Sequence, residues 1–418
     1  MNKGEAYTRS CFCLSLPCQD GTLLYQTMTG EMVLLESDET IDDKLEELVR
    51  HGFYVPAGFD EHKLAMQIRS VAAMMQRKKP RSTFLLPTTT DCNARCYYCF
   101  ELGTKRIDMT PEIARDAAAY MIRVSGDEEL KLTWFGGEPL YNRRAIEIIC
   151  AELKKASKPF RSVMVTNGYY LDPETSRIAY RDWNLKLVQI TLDGTKEVYQ
   201  RTKAYIEHDP NAFERVIRNI RGASDAGIKV LLRFNMDAKN ANDLMRLTYE
   251  LKESLAGCGN ITGECELLRE YIGKIGRFSS EQEAAETWLR LQNRLDAQWP
   301  RSKDGLPKSI LVNSCIADND ACETILPDGS VGKCDRIDFK NTIGSITTTE
   351  TDQKEKEAWK ETVTFPECSI CPFFPQCIVL KRCKGAKDGC AEALRIRKRW
   401  ELEEKMLIEY ERYKNETR

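Results

Sequence analysis

The chain has 418 residues, with 62 Lys and Arg against 64 Asp and Glu, a net charge of −2 and a pI of about 6.2. That balance excludes a surface built to coat nucleic acid or to hold an anionic membrane, so neither is expected as a partner. No run approaches the ~18 apolar residues of a spanning helix, and the first residues (Glu5, Arg9, Cys11, Pro17) lack the apolar centre of a signal peptide, which predicts a cytoplasmic protein.

The length predicts two or three domains. Within residues 1–80 a strand over 11–16 precedes a hairpin over 23–35 that turns near Thr29-Gly30. Apolar residues at Ile41, Leu45, Leu48 and Val49 predict a helix over 41–51, and a second helix spans about 61–77. The apolar run 84–87 and the threonines at 88–90 read as a buried strand that delivers the loop Cys92-Asn93-Ala94-Arg95-Cys96-Tyr97-Tyr98-Cys99. A helix then starts at Thr110-Pro111, an N-cap residue followed by Pro at the first helical position. Four strands follow, each ending in glycine or polar residues. The first, 130–135, ends at Gly136-Gly137-Glu138-Pro139, and 163–165 ends at Thr166-Asn167-Gly168. Strand 187–192 ends at Asp193-Gly194, and 230–234 ends at Asn235 and Asp237. Helical stretches such as 143–156 and 213–226 lie between them. Alternating strands and helices predict a parallel α/β sheet, whose ligands gather at the strand C-terminal ends.

The 17 cysteines stand against only three histidines, His51, His62 and His208. At about one residue in 25 and without a secretory signal, the cysteines are better explained by metal ligation than by disulfides. Few histidines weaken His-ligated zinc and Ser-His-Asp or Cys-His catalysis, leaving iron–sulfur clusters or all-Cys zinc. Three thiols form the C-x3-C-x2-C loop, and a cubane cluster held by three thiolates leaves one iron for another ligand. Eight more are Cys315, Cys322, Cys334, Cys368, Cys371, Cys377, Cys383 and Cys390. Cys11, Cys13, Cys18, Cys150, Cys258 and Cys265 keep no ligand-like company in the sequence and read as structural. Pro327-Asp328-Gly329-Ser330 is a turn signal, predicting a hairpin that presents Cys322 and Cys334. The last 28 residues, with Ile396, Trp400, Met406, Tyr410 and Tyr413, predict an amphipathic helix packed on the protein's own body.

The loop Cys92-x3-Cys96-x2-Cys99, followed downstream by Gly136-Gly137-Glu138, resembles the radical S-adenosylmethionine (SAM) enzymes. The resemblance implies a partial (βα)6 TIM-like barrel, an α/β fold, over 81–305. It implies that Cys92, Cys96 and Cys99 ligate a [4Fe–4S] cluster, that Tyr98 contacts adenine, and that Gly136, Gly137 and Glu138 hold the SAM methionine. Asn167, Thr191 and Arg233 match less specific cofactor-binding positions, and either Arg201 or Lys203 matches a further basic one. The eight later cysteines, over 306–418, resemble the SPASM extension found behind some of these barrels. That implies two auxiliary [4Fe–4S] clusters, on Cys315, Cys322, Cys334 and Cys383 and on Cys368, Cys371, Cys377 and Cys390, three in all. Two spacings depart from the common form, x5 between Cys377 and Cys383 and x6 before Gly329, which leaves the pairing of Cys383 and Cys390 open. Residues 1–80 resemble the small α+β, winged-helix-like RiPP recognition elements (RRE) that bind a leader peptide as an added strand, with a plain N-terminal cap as the alternative.

The resemblance implies that an electron from flavodoxin or ferredoxin cleaves SAM to a 5′-deoxyadenosyl radical, which removes a hydrogen atom from a precursor peptide. The expected activity is oxidative cross-linking of a ribosomally made peptide through a thioether, C–C or C–O bond. One alternative is an anaerobic sulfatase-maturating enzyme forming formylglycine, with Asp335 as the candidate base. Another is a peptide epimerase using Cys258 or Cys265 as hydrogen donor. A purely zinc-binding protein does not account for Gly136-Gly137-Glu138.

Overall fold

The computed structural model describes residues 6–76, 80–268, 278–301, 306–307, 315–336, 338–348, 351–377, 379–383, 390 and 392–416. The early elements are β1 (Tyr7–Arg9), β2 (Cys13–Cys18), β3 (Gly21–Gln26), β4 (Met32–Glu36), α1 (Ile41–Arg50), β5 (Tyr54–Pro56) and α2 (Glu61–Gln76). The sheet-and-helix alternation runs β6 (Thr83–Thr89), α3 (Pro111–Ser125), β7 (Leu130–Gly136), α4 (Arg143–Lys155), β8 (Phe160–Thr166), α5 (Pro173–Asp182) and β9 (Leu185–Leu192). It continues with α6 (Lys196–Lys203), α7 (Ala212–Asp225), β10 (Lys229–Met236), α8 (Ala241–Ser254), β11 (Ile261–Leu267) and α9 (Glu281–Gln298). Last come β12 (Cys322–Ile325), β13 (Ser330–Gly332), β14 (Gly344–Ser345), α10 (Gln353–Ala358), β15 (Thr362–Val363), β16 (Val379–Leu380) and α11 (Glu392–Glu416).

The chain divides into two compact units, Arg77–Arg301 with Ile316–Glu361, and Met1–Gln76 with Ser302–Cys315 and Thr362–Arg418. The larger unit is an α/β fold around a nine-stranded sheet of order β11-β10-β9-β8-β7-β6-β12-β13-β14. Strands β6 to β11 run parallel, and β12 extends the parallel set on the far side of β6. Alternation builds the sheet: Val230, Leu232, Phe234 and Met236 of β10 are buried, while Leu231, Arg233 and Asn235 of the opposite face are half-buried. The outer face is covered by helices. A Cβ on Gly263 of β11 would lie 3.2 Å from Leu295 of α9, and the Trp288 indole donates to Cys265 O at 2.8 Å. The helix expected at Thr110-Pro111 starts there, with Thr110 capping Ile113 N–H, and Asp172 caps Thr175 N–H ahead of Pro173 in the same way. The Pro327-Asp328-Gly329-Ser330 turn forms, with Gly329 at φ +85° and Ile325 opposite Val331.

The smaller unit holds an antiparallel meander of order β2-β3-β4, the β1–β5 and β15–β16 pairs, and α1, α2 and α11. On one face of the meander Leu14, Leu23 and Tyr25 pack with Phe373 and with Met406 and Tyr410 of α11. On the other, Cys13 and Leu24 pack with Leu48 of α1 and Phe53. The first 76 residues thus share a core with the last 57. No helix among the described residues is long and apolar enough to cross a membrane.

Candidate cluster and cofactor site

The loop after β6 closes on itself, with Cys99 N–H donating to Cys96 O at 3.1 Å and Ala94 N–H to Cys92 Sγ at 3.3 Å. Burial pushes the Cys92 thiol up to about 12, with Glu138, Cys96 and Cys99 adding to the shift. Burial also raises Cys96 to about 11, against the opposing charge of Lys203, and raises Cys99. Three soft donors that sense one another's charge fit an iron–sulfur cluster, whose binding would displace their protons. Among the described residues no three His, Cys, Asp or Glu side chains converge as a single-ion site requires. Cluster thiolates bind separate irons and need no such convergence.

The ends of the neighbouring strands hold this loop. Gly137 N–H donates to Thr89 O at 3.0 Å and Glu138 N–H to Asp91 O at 2.9 Å. Side chains cannot follow: a Cβ on Gly136, at φ +109°, would lie 2.2 Å from Thr89 O, and one on Gly137 would lie 2.1 Å from Asp91 O. The two glycines are therefore required first by the approach of β7 to the cluster loop. The Glu138 carboxylate is fully buried and accepts from Thr166 Oγ1 (2.7 Å), Asn167 N–H (2.8 Å) and Leu140 N–H (3.2 Å). Burial raises its pKa while those donors pull it back. Its contacts tie β7 to β8, which makes it a positioning group. Asn167 turns its amide to Asn93 Oδ1 at 2.7 Å, beside Cys92.

Tyr98 donates its hydroxyl to Asp193 at 2.7 Å, and Asp193 pairs with Lys203 at 3.0 Å. Burial first, and Asp193 next, hold the Tyr98 phenol well above its usual range. The Asp193 charge keeps Lys203 protonated against its burial. Lys203 O also accepts from Arg95 N–H at 2.7 Å, so of the two basic residues left open by the sequence, Lys203 reaches the site and Arg201 is exposed. Tyr97 donates to Asp237 at 2.9 Å, just past β10. Thr191 stands opposite Arg233 in the β9–β10 register, and Arg233 reaches Glu264 (3.7 Å) and Glu266 (3.4 Å) on the inner face. Cys265 shares the outer face with Gly263, and Cys258 precedes β11 at the opposite end of the strands, so neither epimerase candidate joins the strand C-terminal ends.

Sequence reasoning missed Glu101. Its two carboxylate oxygens are buried without a hydrogen-bond partner, and burial pushes its pKa up to about 7. An acid two residues past Cys99 carries no signal of burial in the sequence. Beside it Phe100 stacks on Phe135 at 6.2 Å, and the Arg336 guanidinium lies 5.7 Å from the Phe100 ring. Asp335, between Cys334 and Arg336, is exposed.

Cys322 and Cys334 sit at the two ends of the β12–β13 hairpin, where Thr324 Oγ1 donates to Cys334 O at 2.9 Å. The buried ammonium of Lys333 donates to Asn319 O (2.6 Å) and Cys322 O (2.7 Å). Cys315 and Cys383, both exposed, belong to the smaller unit. There Cys368, Cys371, Cys377 and Cys390 gather: burial raises Cys390 to about 11, and Cys377, Cys371 and Cys368 add to it. The 17 cysteines form no disulfide. Cys11, read as structural from the sequence, packs on the apolar cluster of Phe12, Ala65 and Phe374, which Cys368 and Cys371 also border.

A parallel α/β sheet with a three-thiol loop at the end of its first strand defines a class, and the comparisons agree with it. Residues 86–247 match the model of the Radical SAM superfamily, and this part of the chain is a radical SAM domain, a fold whose members bind a [4Fe–4S] cluster and SAM. The chain is similar to Fe-coproporphyrin III synthase of Methanosarcina barkeri, 25% identical over 166 residues, 40% of this chain and 39% of that protein. It therefore spans about two fifths of that relative's length. In fold it is similar to anSMEcpe with bound AdoMet and Cp18Cys peptide, with a TM-score of 0.58 and 18% identity over 81% of this chain and 100% of the other. It is also similar to Streptococcus suis SuiB bound to S-adenosylmethionine, with a TM-score of 0.50 and 11% identity over 88% of this chain and 93% of the other.

Proposed function

We propose that this chain is a radical SAM peptide maturase that oxidatively cross-links a ribosomally made precursor, with the leader held by its N-terminal segment. The reading takes Cys92, Cys96 and Cys99 as ligands of the SAM-binding cluster and assigns two auxiliary clusters to the later thiols. The donor is a flavodoxin or ferredoxin and the compartment the cytoplasm. SAM bound at such a cluster supplies hydrogen-atom abstraction from unactivated carbon. The protein's part is positioning. Lys203, Asp193 and Tyr98 fix the thiol loop, Glu138 fixes the β7 and β8 ends, and Thr191, Arg233, Glu264 and Glu266 give the inner face its polar wall.

One observation carries the peptide substrate: the open edge of β4. In the meander Gln26 N–H donates to Glu31 O and Ser37 N–H to Asp20 O. By antiparallel alternation the backbone groups of Met32 and Leu34 then point away from β3. Among the described residues no strand pairs with that edge, whereas the opposite edge, β2, contains Pro17. The β4 edge borders a groove of about 640 Å³ lined by Leu34, Glu36, Asp20, Tyr410, Tyr413 and Lys414. An added peptide strand suits such an edge. Asp335, exposed and next to the Arg336 that lies over Phe100, favours the second reading, formylglycine formation.

The test is mass spectrometry of the short peptide encoded beside the gene after anaerobic incubation with reconstituted protein, SAM and dithionite in deuterated water. Loss of two hydrogens per event, without an aldehyde, is the expected result. A hydrazide-reactive aldehyde selects formylglycine formation, and one deuterium gained without oxidation selects epimerisation. An unchanged peptide with 5′-deoxyadenosine still produced overturns the assumed substrate.

A further inference from the structure

The hairpin that presents Cys322 and Cys334 carries a buried charge with no counter-charge of its own. Lys333, the residue before Cys334, is 1% exposed, and its ammonium donates to Asn319 O at 2.6 Å and to Cys322 O at 2.7 Å. The carboxylates that follow those two residues in the chain are engaged elsewhere. Asp320 pairs with Lys356 (3.2 Å) and Lys360 (2.8 Å), while Glu323 pairs with Arg81 (3.0 Å) and accepts from the Tyr120 hydroxyl (2.9 Å). Among the described residues no carboxylate forms an ion pair with Lys333. Two carbonyls can be capped by a neutral amide, whereas a buried cation is costly unless an anion lies nearby. Cys322 and Cys334 are the groups that become anionic on binding iron. The Cys334 sulfur accepts from Arg336 N–H at 3.4 Å, the kind of hydrogen bond that tunes cluster thiolates. The Cys334 thiol also reaches Asp335 Oδ1 at 3.4 Å, but that residue is exposed, so water screens its charge.

We propose that Lys333 tunes the auxiliary cluster bound at Cys322 and Cys334, its ammonium favouring the reduced state so that this cluster takes up an electron more readily. The proposal rests on the reading that these two thiols hold an iron–sulfur cluster. A [4Fe–4S] cluster on thiolates is a net anion and becomes more negative when an electron enters; no bond breaks and no proton moves. A fixed cation away from water therefore stabilises the reduced form more than the oxidised one. Lys333 is thus a positioning residue that acts by its charge.

The test is an anaerobic EPR redox titration at neutral pH, with dithionite and mediators, on reconstituted full-length protein in which Cys92→Ala, Cys96→Ala and Cys99→Ala remove the first cluster. Lys333→Met and Lys333→Gln remove the charge, Gln keeping a donor for the carbonyls, and Lys333→Arg keeps the charge. One of the remaining couples should become about tenfold harder to reduce in both neutral variants, ~59 mV lower for one electron, and stay within about twofold of the parent in Lys333→Arg. Couples unmoved in both neutral variants overturn the proposal, and so does a shift in Met without one in Gln, which assigns the effect to hydrogen bonding. A Lys333→Gln protein that does not fold, or that holds about four irons fewer than its parent, also overturns it, because assembly and not potential then depends on the residue. Cys322→Ala with Cys334→Ala in the same background separates the two readings. Loss of about four irons leaves the cluster reading standing whatever the Lys333 variants show, and unchanged iron overturns that reading and the proposal together.

Discussion

Lys203→Met tests whether the ion pair beneath the thiol loop holds that loop. Both side chains are shut off from water, 3% exposed for Lys203 and 0% for Asp193, at a separation of 3.0 Å. Removing one member of such a pair leaves a buried carboxylate without that counter-charge, which costs ~3–5 kcal/mol. In a domain of ~150–250 residues each kcal/mol moves Tm by ~2–4 °C, so the transition of the larger unit in apo-protein should fall by roughly 10 °C. The damage should reach the cluster, because Tyr98 lies between Cys96 and Cys99 and hangs on the same carboxylate. Iron should therefore pass to a chelator such as bathophenanthroline faster than from the parent. Asp193→Asn with Lys203→Met removes both charges and keeps an oxygen for the Tyr98 hydroxyl, so the double variant should recover most of the lost Tm. Scanning calorimetry and chelator kinetics on the three proteins decide the matter. A single variant within 2 °C of the parent on the same ~2–4 °C scale, or a double as unstable as the single, would refute the account of this pair.

Glu101→Gln should change the pH dependence of stability. The folded carboxyl titrates at about 7 against a reference of 4.5, so its contribution is present below pH 4.5 and lost as pH rises through 7. Over that window the parent apo-protein should lose roughly 3 kcal/mol that the variant keeps, and equal Tm differences at pH 5 and pH 8 would contradict this. Gly137→Ala pushes a methyl onto the Asp91 carbonyl at 2.1 Å, so it should cost about 1–3 kcal/mol or more and reduce the iron held by the first loop, measured by iron analysis. Because Cys92 and Cys96 titrate near 12 and 11 and Cys99 is raised as well, all three are thiols at pH 7. Loading the first cluster should release about three protons per chain, and should quicken from pH 7 to pH 9, as read with an indicator dye in weak buffer.

What was legible in the sequence is what short spacing encodes. The C-x3-C-x2-C loop, the strand ends at Gly136, Asn167, Asp193 and Asp237, the Pro327-Asp328-Gly329-Ser330 hairpin and the Thr110-Pro111 helix start all depend on neighbours a few residues away. The structure returns each of them within a residue or two. The choice between Arg201 and Lys203 could not be made that way, since both lie on α6 and only burial separates them. Nor could the duties of Glu138 and Glu101, two carboxylates with opposite surroundings. One is satisfied by three donors from its own strand end and β8, and the other is enclosed with none.

Contacts across the whole chain length leave no local trace at all. Tyr25 donates to Pro307 O at 2.8 Å, Tyr410 hydrogen-bonds Asp20, and Lys414 pairs with Asp20 at 3.0 Å. Of the apolar positions expected on α11, Met406 and Tyr410 are buried, Ile396 and Trp400 are half-buried and Tyr413 is exposed, and a period of 3.6 names a face and not its partner. That partner is the meander of the first 36 residues, whose Leu14, Leu23 and Tyr25 would otherwise face water. The meander is apolar on both faces, and α1 with Phe53 covers only the one that carries Cys13 and Leu24. By docking onto α11 and the Cys371–Cys377 loop it covers the other, which carries Leu14, Leu23 and Tyr25, and the thiol loop gains a fixed wall from the first part of the chain.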